Sequence, residues 1–271
     1  MSQELSQELS QQLDRGLPPA ATIDDVPQWS LRRILAVWAA ATVPMSVLGW
    51  LVAPWASSLF TSRNSFADSL LVAFDLGLAA EVVLVLAVVR AERGSLAWPV
   101  LRSALRLGSP RDPRTGRVGG RVWWWALAFT VLSAGIEMLP FDPVGPLDRD
   151  LPKALQAGSL DHYFSGNWFA FALLVVNALI SPVAEELVFR GLLLPRTRAL
   201  FGRADILANG LLFSLHHLHQ PWSMPVAFLD GAFGQAWPSR RFRSTWLGII
   251  THTAPSVLVI GAVLALVLQP A

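Results

Sequence analysis

The sequence predicts an all-α fold, a polytopic membrane bundle of about seven to eight transmembrane helices. Three observations carry that expectation. Of the 271 residues 53% are hydrophobic and only 15% are charged, with 12 tryptophans, a balance far from that of a soluble domain. Apolar runs recur at about 34 to 60, 66 to 89, 122 to 140, 168 to 189, 204 to 219, 224 to 238 and 245 to 268, and several have the roughly 17 to 25 residues that cross a bilayer. The arginines gather in the connections between those runs, which is the pattern of membrane topology. A net charge of +2 clustered in this way suits a lipid bilayer as partner and gives no reason to invoke nucleic acid.

Residues 1–30 are polar, with Pro residues and an Asp pair, and lack the basic start and apolar middle of a secretory signal. They read as a disordered cytoplasmic tail, and their SQEL doublet is too short to define a repeat architecture. The rest, 31–271, reads as one membrane domain, with its first two runs following Arg32 and Arg33. The long connection after the second run carries Arg90, Arg93, Arg102, Arg106, Arg111, Arg114, Arg117 and Arg121 and is expected on the cytoplasmic side. Within it, SLAWPVLRSALRL has apolar residues at roughly helical spacing, which fits either a helix lying along the membrane surface or an ordinary exposed loop helix. The connection at 141–167 holds Asp142, Asp148, Asp150 and Asp161 against only Arg149 and Lys153 and is expected outside. The connections with Arg196, Arg198 and Arg203, and with Arg240, Arg241 and Arg243, are again expected to be cytoplasmic. Seven spans from a cytoplasmic N-terminus satisfy every loop, and an eighth helix is compatible. The fifth and sixth runs are short and interrupted by polar residues, so they read as helices enclosed by the others or as partly re-entrant segments.

The chain has no Cys, which excludes disulfides, thiol nucleophiles and cysteine metal sites, and leaves carboxylate, imidazole, hydroxyl and guanidinium groups to carry any chemistry. Glu185 and Glu186 stand side by side at the end of an apolar run, where carboxylates are costly and a functional site is the default expectation. Glu186 and Arg190 are four apart and share a helix face, whereas Glu185 is rotated by about 100°. The plainer account is an ion pair at a helix end with Arg190 marking the interface, but that account needs only one carboxylate. Next, LANGLLFSLHHLHQPW holds three of the five histidines. On a continued helix Phe213 and His217 share a face, His216 lies about 100° and His219 about 200° away, so at most two histidines can face a common centre. His252 and Ser256 are again four apart, with Pro255 between them. Asp75, Glu81, Glu137 and Asp230 have no motif around them and read as packing or interfacial groups, Asp230 being the strongest exception because its span lies between the two that carry His.

Two carboxylates and at least two imidazoles spread over three helices can activate water, and a further His with a hydroxyl can hold an oxyanion, which suggests amide hydrolysis. The same donors, Glu185, His217 and His252, are equally the candidate ligands of a zinc ion, although no H-E-x-x-H helix is present.

Taken in order over about 175 to 260, Glu185-Glu186-x-x-x-Arg190, Phe213-x-x-x-His217 and His252-x-x-x-Ser256 resemble the motifs of the CPBP family. This is the CAAX protease and bacteriocin-processing, abortive-infection-like group of intramembrane proteases, related to the Ras-converting CAAX endopeptidase. The resemblance implies a multi-pass protease of a prokaryotic cytoplasmic membrane, with a cavity open to the cytoplasm and a protein or peptide substrate, membrane-anchored or not. It implies Glu185 as general base, His217 as its partner on the attacking water, Glu186 and Arg190 as supporting groups, and His252 as part of the oxyanion site. The family usually has Asn where this chain has Ser256, a hydroxyl of shorter reach; one lost oxyanion donor costs roughly 3 to 4 kcal/mol. The leading expectation is therefore an endopeptidase acting near the cytoplasmic face by Glu/His-activated water. The alternative, motivated by Ser256, is a catalytically weak member acting as a membrane binding, immunity or scaffolding protein. A small transporter ranks last, because neither inverted repeats nor paired Gly-broken helices are visible.

Overall fold

The computed structural model describes residues 26–62, 64–139 and 157–269. Most of the polar tail, and the part of the acidic connection with Asp142, Asp148 and Asp150, lie outside the described residues. The helices are α1 Leu31–Leu59, α2 Ser65–Arg93, α3 Trp98–Ala104, α4 Trp124–Glu137, α5 Ala157–Phe164, α6 Trp168–Arg196, α7 Asp205–His216, α8 over 224–241 and α9 Thr245–Val267. The described residues contain no strand. Four helices, α1, α2, α6 and α9, are long and apolar enough to cross a membrane. The other three predicted runs become the shorter helices α4, α7 and α8. At its 12 residues α7 spans about 18 Å, well short of a hydrocarbon core of about 30 Å.

Local chemistry sets these boundaries. Ser30 caps α1 by accepting from the Arg33 amide at 3.4 Å, and Asn64 and Asn167 cap α2 and α6 through Ala67 and Ala170, each at 3.1 Å. Gly94, at φ 69°, closes α2 in the left-handed conformation, its amide donating to the Arg90 carbonyl. Three helices continue through wide π-turns, Leu48–Val52 in α1, Leu187–Leu193 in α6 and Asp230–Ala236 in α8. Because of its π-turn α6 does not stop near 189, as the hydropathy pattern suggests, but runs on to Arg196.

α6 is the central helix. Val188, Phe189, Leu192 and Leu193 are fully buried against Ile34 and Val37 of α1, Val85 and Val89 of α2, Phe213 of α7 and Ile249 of α9. Outward-facing Leu51, Trp55, Leu76, Val83, Trp124 and Leu258 are exposed; so apolar an exterior would promote aggregation in water and is what a bilayer solvates. At the opposite end from the arginines, the buried Tyr163 hydroxyl of α5 donates to Asp68 of α2 at 2.5 Å.

The three arginine-rich connections meet at one end of the bundle. Arg196, with no side-chain exposure, pairs with Glu92 at 2.7 Å and donates to the Leu192 and Ala104 carbonyls. Glu92 also accepts from Trp29 Nε1 at 2.6 Å and from Arg33 at 3.0 Å, which docks residues 26–30 against α2 and α6. Arg240 pairs with Asp205. The SLAWPVLRSALRL segment forms α3, and its last residues are drawn inward: Ala104, Leu105 and Leu107 are buried, and the Leu105, Leu107 and Gly108 carbonyls accept from Thr245, Trp246 and Ser244.

Removing one member of a buried ion pair strands the other. Arg196→Ala is therefore expected to cost about 3 kcal/mol, read as a lowered Tm in detergent. Arg33→Ala, which removes a partner 46% exposed at the side chain, is expected to cost less than about 1 kcal/mol.

Candidate active site

The first site segment is the stretch of α6 in which its regular turns give way to the π-turn. Glu185 and Glu186 close the regular part, and Arg190 lies in the wide turn. The two carboxylates diverge as their 100° offset predicts. Glu185 Oε1 accepts from Ser181 Oγ at 2.7 Å, one turn earlier, while Oε2 is buried with no protein partner. Glu186 Oε1 accepts from Arg190 Nη1 at 2.8 Å and faces His252 Nδ1 at 3.3 Å. Arg190 has no side-chain exposure, so it is an interior member of the site and not an interface marker. Its Nη2 donates to the Gly231 carbonyl at 2.9 Å, and its guanidinium lies 4.2 Å from the Phe213 ring centroid.

The wide turns make these contacts possible. A π-turn leaves backbone groups without their usual helical partners. In α6 the Phe189 carbonyl accepts from the Leu194 amide five residues on and also from Asn209 Nδ2 of α7 at 2.8 Å, and in α8 the Gly231 carbonyl is the one Arg190 reaches. Glycine is needed at two of the approaches. A Cβ at Gly231 would meet Phe213 and Arg190, and one at Gly248 of α9 would overlap Glu186 Oε2.

The histidines sort differently from the sequence expectation. α7 ends at His216 and tightens into a 3₁₀ turn over His217–His219, so the 3.6-residue wheel no longer applies to His219. The His217 and His219 rings lie with centroids 5.6 Å apart and planes at 22°. His217 Nδ1 is 2.8 Å from the Phe213 carbonyl and His219 Nδ1 is 3.0 Å from the His216 carbonyl. A carbonyl can only accept, so both rings carry their proton on Nδ1 and present Nε2 as an acceptor. His216 turns the other way, into an ion-pair contact with Glu81 at 3.2 Å and toward Thr42 Oγ1 at 3.3 Å, with all three residues buried. It ties α7 to α1 and α2.

Glu185 lies within electrostatic reach of His252, His217 and His216. The proposed set is thus brought to one interior region by α6, the tip of α7 and the first turns of α9. Ser256 is the member that stands apart, its hydroxyl donating to the His252 carbonyl of its own helix at 3.5 Å, at the outer limit of a hydrogen bond. Among the described residues no group of three or more His, Asp or Glu has the arrangement of a metal site. Glu185, His217 and His252 accordingly do not form such a group.

Several site groups escaped the sequence reading. Ser181 and Asn209 lie in ordinary apolar helices with no flag of their own. Glu81 and Asp230 were signalled only as acids inside apolar runs. Asp230 is buried, accepts from Gln235 at 2.7 Å, and acts electrostatically on Arg190, His252 and Glu137.

No curated protein and no solved structure matches the chain. Residues 167–258 match the family model described as type II CAAX prenyl endopeptidase Rce1-like, and all three motifs fall within them. Over that segment the chain is similar to the Rce1-like CAAX proteases.

Proposed function

We propose that the protein is an intramembrane endopeptidase that hydrolyses a peptide bond with water activated by Glu185 and His217. Its substrate is a protein or peptide, membrane-anchored or free, and the chain is a membrane bundle of about seven to eight helices, with the short α7 enclosed by the others and the arginine-rich end and N-terminus in the cytoplasm. The observation that carries this reading is the division of labour between the two carboxylates. Glu186 meets Arg190 and His252 through Oε1, whereas Glu185 has only the Ser181 hydroxyl on Oε1; the Oε2 of each is buried without a protein partner. The short α7 supports it as well. Its tip ends inside the bundle, and irregular backbone at that depth is tolerated only where protein covers it or where it lines a water-filled cavity.

In the proposed reaction a water donates one proton toward Glu185 Oε2 and the other toward His217 Nε2, which aims its lone pair at the scissile carbonyl. As the oxygen–carbon bond forms, Glu185 takes one proton and the carbonyl electrons move onto oxygen. His252 is positioned to hold that oxyanion through Nε2. Because its Nδ1 proton goes to Glu186, donation from Nε2 requires the doubly protonated ring, a form that Glu185, Glu186 and Asp230 surround with negative charge. Glu185 then returns its proton to the leaving amide nitrogen as the carbon–nitrogen bond breaks. The cleavage point lies near the cytoplasmic side: Glu185 precedes Arg196 by eleven positions in α6, about 16 Å from the arginine-rich end. The family match does not favour the alternative of a non-catalytic binding or immunity protein.

With fluorogenic prenylated and unprenylated CAAX peptides as substrates, Glu185→Gln and His217→Ala are expected to lower kcat by at least about 10³ while the protein elutes as the parent does. Unchanged turnover in Glu185→Gln would sink the mechanism. His216→Ala, which strands the buried Glu81 instead, is expected to lower Tm by the equivalent of about 3 kcal/mol and to leave kcat of the folded fraction within about tenfold. Ser256→Asn supplies a longer-reaching donor and is expected to raise kcat by about tenfold or more; a fall would show that Ser256 does not adjoin the oxyanion. Phenanthroline is expected to leave cleavage unchanged, and inhibition reversed by added zinc would replace the carboxylate mechanism with a metal one.

A further inference from the structure

Glu186 makes both of its contacts through one oxygen. Arg190 Nη1 and His252 Nδ1 meet Oε1, and Oε2 is buried with no protein partner. A carboxylate with no side-chain exposure is tolerable only when its remaining lone pairs also find donors, because a buried acceptor left without one carries its full desolvation penalty. Arg190 does not supply that donor. Its Nη2 is turned to the Gly231 carbonyl, and Nε lies on the same edge of the planar guanidinium as Nη2.

The group beside Oε2 comes from α8. Ser239 is 3% exposed, and its hydroxyl is likewise buried with no partner. Gly248 of α9 lets the two oxygens approach. A Cβ at Gly248 would overlap Glu186 Oε2 and stand 3.0 Å from Ser239 Oγ, so both oxygens lie within 3.0 Å of a single point that the missing side chain leaves open. The backbone fixes this approach, since the Ser239 carbonyl accepts from the Ser244 amide at 3.0 Å in the turn between α8 and α9. A hydroxyl can donate, whereas a carboxylate only accepts. Rotation of Ser239 among its side-chain rotamers toward Oε2 therefore satisfies two orphaned atoms at once.

We propose that Ser239 is a positioning residue for the oxyanion side of the site. Its hydroxyl donates to Glu186 Oε2 while His252 Nδ1 donates to Oε1, so α8 and α9 hold the carboxylate in one orientation. A bond to an ionised acceptor is of the stronger kind. The chain of contacts runs from Ser239 through Glu186 to His252, and only the His252 Nε2 end of it reaches substrate. The part that Ser239 plays in turnover rests on the endopeptidase reading, whereas the contact with Glu186 does not.

The test uses the full chain purified in detergent, with a CAAX peptide as substrate. Ser239→Ala is expected to lower kcat about tenfold with KM within about twofold of the parent, because the contact serves the transition state and not substrate binding. Ser239→Thr keeps the hydroxyl and is expected to stay within about threefold of the parent. A second readout does not depend on turnover. In protein carrying isotope-labelled histidine, the ring-nitrogen NMR resonances of His252, identified by their loss in His252→Gln, are expected to shift in Ser239→Ala and to return in Ser239→Thr. Ser69→Ala, which removes a buried α2 hydroxyl that donates to the Ala53 carbonyl at 2.7 Å, is expected to change neither kcat nor those resonances. The proposal is overturned if Ser239→Ala leaves the His252 resonances or kcat at the parent's values, if Ser239→Thr falls as far as Ser239→Ala, or if Ser69→Ala has the same effects. A parent that cleaves nothing while its His252 resonances respond to Ser239→Ala supports the contact and counts against the endopeptidase reading alone.

Discussion

The buried pair of Glu186 and Arg190 is the constraint around which the site is organised. Two charges with no solvent exposure are tolerable only if their mutual attraction is joined by further partners for the remaining donors and acceptors. Here those partners come from other helices: the Gly231 carbonyl from α8, His252 from α9, and the Phe213 face from α7. The charge cluster thus fixes how α7, α8 and α9 approach α6. It also separates the two adjacent carboxylates: Glu186 is tied to the other helices through Arg190 and His252, while Glu185 bonds only to Ser181 of its own helix.

The wide turns in α6 and α8 are the backbone counterpart of that cluster. Regular helices would keep their carbonyls for themselves. Within the π-turns the Phe189 carbonyl accepts from Asn209 and the Gly231 carbonyl from Arg190, so polar side chains find backbone acceptors inside an apolar bundle. The extra width also carries α6 past the site to Arg196, where a second buried charge pair, with Glu92, fastens the arginine-rich end. The candidate site and the arginine-rich end are therefore two ends of one helix segment, each anchored by an arginine with no side-chain exposure.

Much of this was legible in the chain. The hydropathy runs predicted seven helical segments at nearly their observed places, because a membrane-type helix announces itself by composition alone. The pairing of Glu186 with Arg190, and the divergence of Glu185, followed from helical periodicity. What failed did so where the period changed. His219 was expected on the far side of the helix from His217, but the helix gives way to a 3₁₀ turn there and the two rings lie nearly parallel, 5.6 Å apart. Arg190 could pass for an interface residue because nothing local reveals that α6 continues beyond it.

The sequence by itself determined which ionisable groups are carried into the bundle and which of them share a face, since both depend on residues within one or two turns of each other. The tertiary structure alone decided their partners. That His216 meets Glu81 and Thr42 while His217 remains near Glu185, and that Gly231 receives Arg190, are consequences of how helices distant in sequence pack. The period of a helix fixes a direction for each side chain, and only packing fixes what stands in that direction.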